Sequence, residues 1–199
     1  RDFRDLAEQG QEEHGRKPAL VFLEKHGLIV SAETAEASLR LVRKVIATCQ
    51  SKIPAVKAVK LKPADPIQIQ AAQLALRKAI FDSTGQYMPV TYCVNEDAAR
   101  FMVRSDAAGL LAAGPLSPDE MVYANGPALW LERPEAKVIQ AKIRKHLDTG
   151  QAIPRAYLMK SIGLLLACNP ATTATIESIA AGSMRVRGAA ERLGGIWAL

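Results

Sequence analysis

Aromatic side chains are scarce in this chain. They make up 5% of its 199 residues, so its core must be mainly aliphatic. Histidine is scarcer still: His14, His26 and His146 are the full set. With no HxH and no HExxH among them, the chain cannot by itself present a histidine-rich metal site. Cys49, Cys93 and Cys168 stand far apart with no CxxC pair, which removes zinc-ribbon and thioredoxin readings. The expected state is buried, reduced thiols in a cytoplasmic protein. GxSxG, P-loop and GxGxxG patterns are absent, so neither a hydrolase elbow nor a nucleotide-phosphate cradle is offered. No apolar run reaches the roughly 18 residues that span a bilayer, and the longest, Ile162–Cys168, has the length of a buried strand. No signal peptide is evident, no membrane partner is expected, and the polar opening without methionine reads as a start inside a longer protein.

Charge is less scarce, and it is unbalanced. Lys and Arg outnumber Asp and Glu by 26 to 20, a net charge of +6 that suits anionic ligands such as sugar phosphates. The basic residues are spread along helices and are not interleaved with stacking aromatics, which weighs against nucleic acid as a partner.

Residues 1–14 read as a helix with Phe3, Leu6 and Ala7 on its apolar side, closed by Gly15 and Pro18. Ala19–Leu23 and Leu28–Val30 are short apolar β-runs of the kind buried on both faces of a sheet, with His26-Gly27 between them. Thr34 is placed to cap a helix whose first turn carries Glu36. Ala35, Leu39, Val42, Ile46 and Cys49 then recur at spacings of four and three, which predicts one buried face. Residues 51–66 carry three prolines and four lysines and read as a linker, with alternating Val56, Lys57, Val59 and Lys60 as an alternative edge strand. The expected division is therefore 1–50, a linker at 51–66, and 67–199. Asp65-Pro66 opens a helix that buries Ile69, Ala72, Leu76, Ala79 and Ile80 and ends at Gly85. An edge strand at Met88–Val94, a short helix at Glu96–Arg104, a loop-rich stretch at Leu110–Asn125 in which Gly114-Pro-Leu-Ser-Pro-Asp-Glu reads as a turn leading into a helical turn, and a short strand at Ala128–Leu131 follow. Asp97, Asp106, Asp119 and Glu120 lie in or near that loop-rich stretch, where a carboxylate is expected to face solvent. Val138, Ala141 and Ile143 mark the buried side of a helix over Pro134–Leu147, and a strand–turn–strand and a long helix complete the chain.

A shift of 136 positions lays Leu20–Ala32 on Ala156–Cys168. Gly27 meets Gly163, Leu28 meets Leu164, and both copies read helix, strand, glycine turn, strand, helix, an internal degenerate repeat. Where the first copy has His26 the second has Ile162, which neither binds a metal nor carries a proton. His26 stands beside a glycine at the end of a β-run, where an imidazole can face a cleft, and Glu24 shares its face as a second-shell or rim carboxylate. His14 and His146 each end a helix, where a capping role is expected.

Glu24-Lys-His-Gly-Leu-Ile-Val-Ser-Ala-Glu-Thr-Ala-Glu-Ala resembles the last strand-turn-strand and following helix of the class II aldolase/adducin family. Ala32 stands where that pattern usually has glycine. Gly114-Pro-Leu-Ser-Pro-Asp-Glu, Arg155–Gly163 and Ala190-Glu-Arg-Leu-Gly-Gly are similar to the segment after it in the longer rhamnulose-phosphate aldolase/dehydrogenase type, although no dehydrogenase follows. The resemblance implies a three-layer α/β/α class II aldolase architecture with a mixed sheet, in which 67–199 is a second, site-less module. It also implies reversible aldol cleavage of a phosphorylated sugar or similar hydroxy-carbonyl compound in a homo-oligomer. His26 would be one of three zinc ligands; the paired histidines and catalytic glutamate of the family have no counterpart in this sequence. This segment alone is accordingly expected to be inactive. The other class of function that the same residues allow is a non-catalytic, adducin-like scaffold or oligomerisation module.

Overall fold

The computed structural model describes residues 3–23, 27–53, 62–190, 194–196 and 198. The chain divides into two compact units between Val56 and Lys57. The stretch Val56–Lys60, read above as an alternative edge strand, lies outside the described residues.

The first unit contains α1 (Phe3–His14), β1 (Leu20–Leu23), β2 (Gly27–Val30) and α2 (Ala35–Lys52). Gly15 closes α1 in the left-handed region at φ 68°, where glycine carries no Cβ penalty. Thr34 caps α2, its Oγ1 accepting from the Ala37 N–H at 3.1 Å. β1 and β2 pair antiparallel, Leu20 with Val30 and Leu23 with Gly27. Two expectations fail in this unit. The β-runs are not central strands buried on both faces: they form a two-stranded hairpin, and Phe22 is 69% exposed. The predicted face of α2 is not buried either, since Leu39 and Ile46 are about half exposed and Cys49 is exposed. The cause is the same for both. The unit has two helices and a single two-stranded hairpin, and none of its described residues is fully enclosed. A hydrophobic period states which side seeks cover; it does not supply the layer that covers it.

The second unit contains α3 (Pro66–Thr84), β3 (Val90–Cys93), α4 (Glu96–Met102), α5 (Ala107–Ala112), α6 (Pro118–Ala124), β4 (Leu129–Leu131), α7 (Ala136–Leu147), β5 (Ala156–Met159), β6 (Gly163–Ala167), a 3-10 turn at Pro170–Thr172 and α8 (Thr173–Ala190). Asp65 caps α3 by accepting from the Ile67 and Gln68 N–H groups, and Pro66 occupies a position whose N–H would be unpaired. The sheet is mixed, in the order β3-β6-β5-β4, with only β4 and β5 parallel. Period-two alternation sends its side chains to two cores. Leu158, Leu164 and Leu166 face α4, α5 and α8 through Phe101, Leu111, Ile176 and Met184. Tyr157, Met159 and Leu165 face α3 and α7 through Leu76, Ile80, Ile139 and Ile143. The unit is thus α/β, with helices on both faces of one mixed sheet. Leu110–Asn125, read as loop-rich with a helical turn after Gly114-Pro-Leu, holds the second half of α5 and all of α6, where Ser117 caps α6 by accepting from Glu120 N–H at 3.2 Å and Pro118 begins it. On α7 the buried pair is Ile139 and Ile143, so the face is turned by one residue and Val138 is 48% exposed.

The β5–β6 hairpin repeats the pairing of β1–β2 at a shift of 136: Ala156 with Leu166, Met159 with Gly163. Gly27 (φ 146°) and Gly163 (φ 128°) both hold conformations that L side chains resist. A Cβ at Gly163 would also come within 3.2 Å of the Tyr92 ring.

Tyr157 is fully enclosed in the α3/α7 core, its hydroxyl has no hydrogen-bond partner among the described residues, and burial pushes its pKa up. An unmade hydrogen bond costs the hydroxyl its hydration. Tyr157→Phe is therefore expected to raise stability to urea by about 1 kcal/mol; a loss of stability would show that the hydroxyl has a partner.

Candidate functional site

His26 and Glu24 lie outside the described residues. Their flanks are defined: Leu23 pairs with Gly27 at the end of the hairpin. The equivalent of His26 in the second hairpin, Ile162, is 7% exposed and packs in the core beneath α3 and α7. His14 ends α1 with its ring 3.8 Å from Glu13, and both side chains are largely in solvent. His146 lies in the last turn of α7, its Nε2 3.0 Å from the Ala152 carbonyl. Among the described residues no group of three His, Cys, Asp or Glu side chains could hold a metal ion.

The thiols differ from the expectation of three buried cysteines. Cys93 and Cys168 are buried and Cys49 is exposed. Burial first, then the Glu177 carboxylate, pushes the Cys93 thiol up to about 12, so it is no nucleophile.

The principal cavity among the described residues is in the second unit, beside the edge strand β4. Its volume is about 460 Å³. Leu111 of α5, Met121 of α6, and Leu129 and Trp130 of β4 make an apolar wall, and the turns Gly114-Pro115 and Gly126-Pro127 shape its rim. α7 contributes Lys142, Lys145 and His146, with Thr149 and Gln151 just beyond its end. No carboxylate lines it.

One rim is fixed by a buried charge pair. Arg187 of α8 is 0% exposed and Glu120 of α6 is 1% exposed. Arg187 Nη2 donates to Glu120 Oε2 at 3.0 Å and to the Gly114 carbonyl at 2.6 Å; Nη1 donates to the Leu110 carbonyl at 2.7 Å. Arg187 Nε donates to Ser183 Oγ at 2.9 Å, and Ser183 in turn donates to Glu120. Glu120 Oε2 also accepts from Leu116 N–H at 2.7 Å. Burial pulls the guanidinium pKa down, and Glu120 beside it pushes back. Glu120 is thus not the solvated carboxylate expected of a loop. Its signal was present as the Ser117-Pro-Asp-Glu120 capping box, which keeps a glutamate near the start of its helix; nothing local pointed to Arg187, 67 residues later. Asp97 and Asp106 are paired at the surface, with Arg100 and Arg104. The cavity itself was missed because its members are far apart in sequence, and Lys145 and His146 read locally as helix-end charges.

The chain matches no protein-family model, no curated protein and no solved structure.

Glu120→Ala and Arg187→Ala are each expected to cost about 3–5 kcal/mol, because either leaves a buried charge alone. The double substitution should cost less than the sum, since the second removes a group already orphaned; additive losses in urea unfolding would show that the two do not interact. In the native protein, a thiol reagent should modify Cys49 quickly and Cys93 and Cys168 only on unfolding. Rapid reaction of all three would show that the second unit opens readily.

Proposed function

We propose that the chain is part of a metal-dependent class II aldolase-like protein, cytoplasmic and homo-oligomeric, that cleaves a sugar phosphate or similar hydroxy-carbonyl substrate. In this reading the first unit carries the strand-turn-strand that presents His26, and the second is a degenerate copy of three-layer α/β/α aldolase architecture without the site. The observation that carries it is the pairing of the two hairpins. Leu20–Val30 and Ala156–Leu166 have the same antiparallel register at a constant shift of 136, each with a positive-φ glycine at the start of its second strand. At the one position where chemistry would enter, the second copy has an isoleucine used for packing. The unit that needs no imidazole spends that position on its core.

His26 would be one zinc ligand. One imidazole does not make a zinc centre, and the described residues offer no group of three that would. The remaining ligands belong, in this reading, to a longer polypeptide, and no catalytic step is derived from residues 1–199 alone. The second reading, an adducin-like assembly module, is favoured by the apolar side chains left outside at seven-residue spacing. Leu39, Ile46 and Ile53 run along α2 and its C-terminal end, and Ile67, Leu74 and Phe81 along α3, each more than a third exposed.

Metal analysis separates the two. Stoichiometric zinc in the intact protein, lost in His26→Ala, is the expected result, together with no aldol cleavage by residues 1–199 in isolation. Absence of zinc from both forms would favour the scaffold.

A further inference from the structure

The cavity beside β4 has a chemistry that the aldolase reading does not use. We propose that it is a binding site for a small organic anion, with an apolar body against Leu111, Leu129 and Trp130 and a carboxylate or phosphate head at Lys142, Lys145 and His146. Its volume of about 460 Å³ is in the range that encloses most of a small ligand.

Charge selects the sign. Two lysines and a histidine line the cavity, and among the described residues no aspartate or glutamate does. Neither lysine has a carboxylate within ion-pair distance among the described residues, whereas Lys78, Lys160, Arg104 and Arg187 each have one. The carboxylate whose field reaches Lys142 is Glu132. It is already taken, accepting from Trp130 Nε1 at 2.6 Å and from Lys160 Nζ at 3.4 Å. Complementing the helix dipole would account for cations in the last turn of α7. That dipole acts within the last turn, however, which holds Lys145 and His146 but not Lys142.

Geometry gathers the basic side chains. Lys142, Lys145 and His146 stand at i, i+3 and i+4, one face of α7, while Ile139 and Ile143 anchor the helix in the core. His146 is held in place: a carbonyl only accepts, so Nε2 carries the hydrogen that meets Ala152 O at 3.0 Å. Nδ1 is then left to accept from a ligand hydroxyl. Both lysines line the cavity and are exposed, and a lysine can lay its stem on apolar surface while its ammonium stays in water.

The test is a titration of the full chain carrying Trp197→Phe, which leaves Trp130 as the single tryptophan, excited selectively over the tyrosines. The probes are phenyl phosphate, phenylacetate and, as a neutral control, benzyl alcohol. At least one anion should change Trp130 emission saturably, with benzyl alcohol at least about tenfold weaker, a difference of about 1.4 kcal/mol. Whichever anion binds more tightly identifies the head group. Lys142→Ala/Lys145→Ala should weaken that anion about tenfold or more with no change in melting temperature, since both side chains are exposed. Lys137→Ala, on the same helix but outside the lining, should change nothing. No saturable response to either anion, equal affinity for benzyl alcohol, or an unaltered affinity in the double-lysine variant would overturn the proposal. The site is also separable from the metal reading: His26→Ala should leave the affinity intact, and a loss there would place the anion elsewhere and overturn the assignment.

Discussion

The Arg187–Glu120 pair is the interaction on which the ligand-sized cavity depends. Two ions removed from water are costly unless every lone pair and proton is met. Here the requirement is satisfied by backbone: the Leu110 and Gly114 carbonyls and the Leu116 N–H converge on the pair. Those groups belong to the end of α5 and the turn that leads to α6, where a run of alanines, glycine and proline would otherwise have little to hold it. The cost of burying the charges thus has a structural return, since the segment can adopt only the path that presents those groups. Leu111, Gly114 and Met121 line the cavity from this same path. A Met–Leu pair could fill the space occupied by the ions, but it could not bind the two carbonyls and the N–H.

The two hairpins show how far local sequence determines structure. Both have three residues between their paired ends and a positive-φ glycine at the start of the second strand. Turn chemistry of this kind sets register without help from the rest of the fold. Burial is different. β5 and β6 are enclosed because β3 and β4 extend the sheet on either side and helices cover both faces. β1 and β2 have one helix, α2, packed on them in their own unit, so Val21, Ile29 and Val30 reach only intermediate burial. The same pairing therefore gives a sheet centre in one place and an open ribbon in the other.

What was legible in the sequence follows that division. Caps were legible because they are short-range: Thr34, Asp65 and Gly85 act through neighbours within four residues. The buried face of α3 was legible because two layers exist to bury it. The face of α2 is exposed because periodicity does not supply a partner, and Val138 is exposed because a helix of modest apolar content allows a one-residue rotation. Glu120 was misread because its partner is remote. His26 was legible as an unusual residue in an unusual setting, and only its surroundings can decide whether it ligates.

The cavity, finally, is a consequence of composition as much as of topology. Six of its lining residues are alanine or glycine, and Trp130 is the only aromatic among them. β4 is a three-residue edge strand, so α5 and α6 on one side and α7 on the other must close over its free margin with small side chains. Close packing would need further bulky residues there, and beyond Trp130 a chain poor in aromatics supplies no other aromatic among the described lining residues. On its outer face α7 instead carries lysines, which keep their charged ends in water and cannot fill the gap. An apolar wall beside solvated cations is the surface that the proposed amphipathic anion would complement. A void alone would only cost stability; the cations make it selective.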